Sequence, residues 1–289
     1  MSLLEIVTEA AEEVGYSVDT KVIGSTDITT KQLRRIADRL LAEMAEEFPW
    51  PALFKQGSFT LQSNEPLYAL PGDFSSYHYD TFWNDSDGWR VLGPLSPQEL
   101  AEIEGYGLTS SVYDNFQIRG IADKQLRIVP TPGSGSAGKI IIVEYLAARY
   151  ARPQTWVMSL DIEVGDYVFY NGNYYIATSS GTTGSTPPTH LDPDTPTSDG
   201  GVEWDYYEGP YEKFLADTDE PLLSQRVLTQ GVKEEFAALK GVTATAKFEI
   251  QKEIEFSKKV PGKTLYAGGV AGTILWAENG RVMFGGATR

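Results

Sequence analysis

Residues 29–61 read TTKQLRRIADRLLAEMAEEFPWPALFKQGSFTL, and the change of rhythm inside this stretch decides the fold class. Leu33, Ile36, Leu40, Leu41, Met44 and Phe48 recur at helical spacing, so they share one apolar stripe. Thr29 or Thr30 is expected to cap this helix, and Pro49, which has no amide hydrogen, ends it. From about residue 53 the period falls to two. Phe59, Leu61, Leu67, Tyr68 and Leu70 alternate around the turn formers Ser63-Asn64-Glu65-Pro66, which predicts a strand, a turn and a strand. Helix therefore gives way to sheet within one chain, and the expected class is α+β.

Towards the N-terminus, Ser2-Leu3-Leu4-Glu5 is a capping-box pattern. Leu3, Ile6, Val7, Ala10 and Val14 follow at helical spacing until Gly15 stops the run. Two amphipathic helices thus open the chain with faces to bury. Towards the C-terminus, Trp89–Leu92 and Phe116–Arg119 read as strands. Between them Ser96-Pro97-Gln98-Glu99 signals a short helix, with proline at its first position. Gln125–Val129 and Lys139–Leu146 flank the flexible loop Thr131–Ser136 and read as an antiparallel pair, so residues 54 to 150 are expected to be mostly sheet.

After Trp156 the composition shifts to Tyr, Gly, Thr, Pro and Asp, with almost no basic residue before Lys213. Asp166–Tyr170 and Tyr174–Ala177 meet across Asn171-Gly172, a type I′ hairpin signal because both central residues must tolerate positive φ. Ser179–Gly200 is polar loop. Helix is expected again from Asp217-Thr218-Asp219-Glu220-Pro221, where acids would favour the helix dipole, to Leu239 before Gly241. Thr243 opens another helix that ends before Pro261. Thr273–Ala277 and Arg281–Phe284 then flank Glu278-Asn279-Gly280 as a terminal hairpin.

Composition narrows the functional classes. The chain has 289 residues, no cysteine, 40 acidic against 24 basic residues and a formal charge of −16. Disulfides, thiolate metal sites and cysteine nucleophiles are excluded. The basic residues are scattered, which argues against tight binding to nucleic acid and suits a surface that DNA passes without sticking. No basic leader and no membrane-spanning run is present, so a cytoplasmic site of synthesis and no membrane partner are expected.

The search for chemistry predicts no catalytic residue, no cofactor and no metal. His78 and His190 are far apart and read as loop residues. No nucleophile elbow, phosphate loop or dinucleotide motif stands at a strand-to-helix junction. Asp217, Asp219 and Glu220 superficially match the clustered acids of a glycosidase, but helix capping accounts for them. Asp192, Asp194 and Asp199 offer hard oxygen ligands, yet Pro196 stands where a calcium loop wants a ligand, and the Gly and Glu of such loops are absent. Aromatic residues are the remaining candidates. Alternation assigns Tyr167, Phe169 and Tyr175 to one face and Tyr170 and Tyr174 to the other. Exposed rings stack on sugars, so Tyr170, Tyr174, Trp204 and Tyr206 are the candidate glycan-binding residues, with packing of a small β core as the alternative.

Two resemblances follow. Trp156, Val164–Val168, Tyr170–Ala177, a polar loop and a closing Trp204 resemble carbohydrate-binding modules of the chitin-binding type, over about residues 156–209. The loop Gly184-Ser185-Thr186-Pro187-Pro188 lacks the tryptophan that chitin-binding members expose there. The rest of the chain resembles the adaptor proteins of tailed-phage head-to-tail connectors, the tail tubular protein A-like family. The resemblance rests on the helices ending at Phe48-Pro49-Trp50, Tyr68–Phe74, Val143–Leu146 and Phe214–Leu223, in that order.

The second resemblance implies a helical bundle plus an antiparallel β domain, with the small all-β module inserted. The expected domains are 1–155 (N-terminal helices and β domain), 156–209 (the module) and 210–289 (C-terminal helices and a portal-docking tail). It implies a non-enzymatic structural subunit of the virion, assembled in the host cytoplasm as a homo-oligomeric, twelvefold ring. Its implied partners are the portal protein, a downstream tail or stopper/nozzle protein, genomic DNA passing through the lumen, and surface glycans at the module. A glycan-binding tail or host-adhesion protein is the alternative. A hydrolase with an appended sugar module would need paired carboxylates in a cleft.

Overall fold

The computed structural model describes residues 1–77, 81–107, 114–120, 124–242, 247–259, 264–266, 273–278 and 281–286, with side chains described through residue 258. Among these residues are five helices: α1 (Leu3–Val14), α2 (Ile28–Glu47), α3 (Pro97–Gly105), α4 (Gln225–Leu239) and α5 (Phe248–Lys259). Several antiparallel sheets accompany them, so the class is mixed α+β. By compactness the chain divides into Met1–Leu53 with Arg149–Arg289, and Phe54–Ala148.

In the first unit, local chemistry explains the helix ends. Ser2 and Glu5 form the reciprocal capping box, and Gly15 closes α1 at φ 81°, a conformation that glycine adopts without strain. The cap of α2 is Asp27, not Thr29 or Thr30. Its carboxylate accepts from the Thr30 amide at 2.7 Å and the Thr30 hydroxyl at 2.8 Å. Thr30 is buried, and its Oγ1 also accepts from the Asp19 amide at 3.1 Å, which ties the loop before α2 to its first turn. Phe48 ends α2 in extended backbone before Pro49.

Helices α1, α2 and α5 each pack against α4. The apolar stripes meet as expected: Leu3, Ile6 and Val7 from α1, Leu33, Leu40 and Leu41 from α2, and Val227, Val232 and Phe236 from α4 are fully buried. Each such side chain contributes about 1.5–3 kcal/mol by leaving water. Lys233 of α4 pairs with Glu9 and Glu13 of α1 at 3.0 and 2.5 Å, and Arg39 of α2 pairs with Glu235 of α4. The Glu234 carboxylate accepts from the Lys247 and Phe248 amides at the start of α5.

Gly231 of α4 is a point of close approach in this packing. A Cβ there would lie 2.7 Å from the Phe248 ring and 3.0 Å from Leu40 Cδ1. Alanine gains about 1 kcal/mol in helix propensity, but overpacking costs about 1–3 kcal/mol. Gly231→Ala is therefore expected to lower stability by about 1 kcal/mol net, read from the urea midpoint. A midpoint above that of the parent would show that α5 moves aside at no cost.

The acids at 217–220 do not begin a helix. Helix α4 starts at Gln225 with Ser224 as its cap position, and Glu220–Pro221 is a short strand paired with Ala151–Arg152. By compactness the division between the two units falls between Ala148 and Arg149. Residues 167–206 supply a four-stranded sheet in the order Tyr167–Tyr170, Asn173–Ala177, Val202–Tyr206, Thr197–Asp199. Beyond α5, Thr264–Tyr266, Thr273–Glu278 and Arg281–Gly286 form a sheet of their own. The expected terminal hairpin is thus present with one further strand, and its turn residues Asn279 and Gly280 lie outside the described residues.

In the second unit, Ile140–Ala147 is the central strand, flanked by Phe54–Thr60 and by Phe74–Tyr77 and Trp83–Asn84. A second sheet joins Leu67–Ala69, Gln125–Val129 and Asn115–Arg119. Gln125–Val129 and Ile140–Ala147 therefore belong to different sheets and do not pair with each other. The loop between them is longer than a hairpin turn and leaves each strand to find its partner elsewhere. Leu61, Phe82, Phe116, Leu126, Ile128, Ile141 and Val143 make the core, with Phe82 stacked on Phe116 at 3.9 Å. Helix α3 carries the expected Ser96–Glu99 capping box with Pro97 at its start.

Candidate functional site

The aromatic candidates are placed by strand register. Asn171 and Gly172 have φ of 48° and 87°, so the turn is the expected hairpin turn. Its two-residue length fixes the pairs Tyr167↔Ile176, Val168↔Tyr175, Phe169↔Tyr174 and Tyr170↔Asn173. Directly paired residues point to the same face. Tyr174 therefore joins Tyr167 and Phe169, and Tyr175 joins Tyr170, which reverses the expected assignment of these two tyrosines.

Trp204 and Tyr175 are fully buried with Val168, Ala177 and Val202 in the core of this sheet. Tyr174 is 2 % exposed. Stacking on a sugar needs an open ring face, which the buried rings of Trp204 and Tyr174 do not present. Tyr170 and Tyr206 are half-buried and pack on the rim of the same core, Tyr170 edge-on to Trp156 at 5.8 Å.

The aspartates of the polar loop serve the loop itself. Asp199 is 2 % exposed and accepts from Trp156 Nε1 at 2.9 Å and the Thr186 amide at 3.1 Å. Asp192 accepts from the Asp194 amide and the Thr195 hydroxyl, and these bonds hold its carboxyl below the usual range. His190 packs at 5.3 Å from the Tyr175 ring, while His78 lies outside the described residues. Among the described residues, no cluster of three or more His, Asp or Glu could hold a metal ion. Among them, too, no helix is long and apolar enough to cross a membrane.

A polar network at the base of the small sheet was not legible in the sequence. Arg149 is 3 % exposed; its guanidinium lies 4.4 Å from the centre of the Tyr174 ring and donates to the Tyr207 carbonyl at 3.0 Å. Tyr174 donates to the Ala151 carbonyl at 2.9 Å. Tyr211 sits edge-on to Tyr167 and donates at 2.8 Å to Asp219 Oδ2, which also accepts from the Leu215 and Ala216 amides at 2.7 and 3.0 Å. Asp219 is fully buried, and desolvation raises its carboxyl above the ordinary value despite these donors. Burial, then the Asp219 charge, pushes the Tyr211 hydroxyl up as well.

The same turn clasps the start of the chain. Asp217 accepts through its carboxylate from the Val22 and Ile23 amides at 3.0 and 2.6 Å. The Asp217 and Asp219 carbonyls accept from the Leu4 and Leu3 amides at 3.2 and 2.8 Å. These are donors of the first turn of α1, which have no partner within the helix. The acidic segment does sit at a helix N-terminus, then, but the helix is the first one rather than the one that follows it. Glu220 completes the turn with Arg152 at 2.5 Å, a contact that lowers its pKa. Asp217, Asp219 and Glu220 all bond to the protein around them, an arrangement suited to holding a fold.

The model of the SU10 adaptor protein family matches residues 1–176 of the chain. The match takes in α1, α2, the whole of Phe54–Ala148 and, but for Ala177, the first hairpin of the small sheet. No curated protein matches the chain.

Proposed function

Because the chain belongs to the SU10 adaptor protein family, a family of structural adaptors of phage virions, we propose that it is a ring subunit of the head-to-tail connector. In this reading it joins the portal protein to a downstream tail or stopper/nozzle protein. Twelve copies surround the lumen through which genomic DNA passes. The family match over residues 1–176 carries the reading, and the charge of −16 supports a lumen that DNA does not adhere to. The subunit is non-enzymatic in this proposal, and the module at 156–209 decorates the outer wall. Two of its four candidate glycan residues are interior, which favours a structural module over host adhesion.

Electron microscopy of the purified protein, alone and mixed with portal rings, tests the proposal. Rings, or subunits ordered on the portal, are the expected result, and a monomer under both conditions overturns it. The C-terminal strands pair among themselves in a separate sheet, which fits a docking tail. Deleting residues 263–289 is accordingly expected to abolish cosedimentation with portal rings. Retained cosedimentation would remove the docking role from this segment.

A further inference from the structure

Three of the chain's basic residues share one face of α2. Lys31, Arg35 and Arg39 are exposed at i, i+4 spacing along α2. Arg35 and Arg39 line a groove between α2 and α4 together with Leu239, 56 % exposed, and the largely buried Ile36; Glu235, which pairs with Arg39, lines it as well. Arg35 has no ion pair among the described residues. In a chain carrying −16, a basic face beside exposed apolar surface is a poor solvent face and a good contact for an acidic one.

The complementary face is on α5. Phe248, Lys252 and Phe256 point inward, while Ile250 and Ile254 are 61 % and 41 % exposed. Glu249 and Glu253 flank them on the same exposed side, Glu249 also reaching back to Lys252. Glu249 and Glu253, beside two isoleucines one turn apart, match in sign and in i, i+4 spacing Lys31 and Arg35 of α2, of which Arg35 lines the groove with Leu239. The two faces cannot meet within one molecule. Ile254 lies beside Val227 and Ile36 beside Leu239, and these α4 positions are twelve residues, about 18 Å, apart along the helix.

We propose that the outer face of α5 in one copy of this chain seats in the α2/α4 groove of the next, and that this head-to-tail contact builds the ring. The proposal rests on the ring reading and deepens it by naming the two surfaces. Different patches on each side make the contact heterologous, and a heterologous contact closes into a ring when its rotation permits. The charge pairing also offsets the repulsion expected between subunits of net charge −16.

The cysteine-free chain makes the test direct. In full-length protein, Leu239→Cys combined with Ile254→Cys is expected to give, on oxidation of portal-mixed or concentrated samples, a ladder of disulfide-linked multimers. Either substitution alone should leave monomers. In parallel, Arg35→Glu and Glu253→Arg should each raise the protein concentration needed for assembly at least tenfold, and the double exchange should restore it. Rings seen by microscopy without a ladder, and without response to either charge reversal, overturn this contact and leave the ring reading standing. Covalent dimers from a single cysteine variant also overturn it, since they require like faces to meet. If the parent protein forms no rings with or without portal, the ring reading itself fails.

Discussion

Replacing Asp219 by alanine is expected to lower the stability of the unit containing Met1–Leu53 and Arg149–Arg289 by about 3–5 kcal/mol, since three donors lose their acceptor and each costs about 1–3 kcal/mol when left unsatisfied. The Tyr211 hydroxyl and the Leu215 and Ala216 amides all donate to Asp219 Oδ2 and would lose their acceptor together. Urea denaturation followed by far-UV circular dichroism measures the effect, and a loss below about 1 kcal/mol would show that water replaces the carboxylate.

Asparagine separates the hydrogen bonds from the charge. Asp219 Oδ1 is buried without a hydrogen-bond partner, so an amide can present its oxygen to the three donors and its nitrogen to the empty side. Asp219→Asn should therefore cost less than alanine. The pH dependence follows from the direction of the shift. Burial raises the folded carboxyl above its unfolded value, so the folded state holds the proton to higher pH. This residue's contribution is complete below the unfolded pKa and declines as pH rises through the folded one. Stability of the parent relative to Asp219→Asn should accordingly fall as pH rises above about 4, the unfolded value. Asp38, also raised by burial, is common to both proteins and cancels in the comparison. An unchanged difference across that range would mean that the carboxylate stays ionised throughout.

Trp204→Ala is expected to cost about 3–5 kcal/mol, as truncation of a large buried aromatic does. Its ring fills the core between Val168, Tyr175 and Val202 and is fully buried. Trp204→Phe should cost much less than the alanine change, because the Trp204 indole nitrogen is buried without a hydrogen-bond partner and phenylalanine removes that unpaired donor. Urea midpoints of the two variants, with near-UV circular dichroism to follow packing of the small sheet, decide the matter. Equal losses from both would refute the claim that the indole N–H is a burden.

What was readable in the sequence was set by the range of the interaction involved. The capping boxes at Ser2–Glu5 and Ser96–Glu99 and the turn at Asn171-Gly172 depend on residues no more than three positions apart, and each appears where the pattern put it. The cap of α2 went to Asp27 because Asp and Thr are both competent caps, and only the tertiary bond from Asp19 to Thr30 distinguishes them. Alternation within one strand does not fix the faces of Tyr174 and Tyr175 relative to those of Tyr167 and Tyr170; the register that couples the strands does. The local sequence around Trp204 suits a sugar platform or a core equally, and its full burial on an inner strand, paired with Ala177, depends on strands distant in sequence. The acids at 217–220 carried no local sign of their true partners, which lie near residues 3, 4, 22 and 23.

That long reach bears on the order in which the polypeptide matures during synthesis. Phe54–Ala148 is contiguous, so it has all its strands as soon as it emerges. Helix α1 leaves the ribosome first, yet the carbonyls that receive its leading amides belong to Asp217 and Asp219. At elongation rates of 5–20 residues per second, it waits roughly ten to forty seconds for them. The nascent N-terminus is an amphipathic segment without its capping partners for that interval, and the acidic turn can capture it only once residues 217–219 have been made.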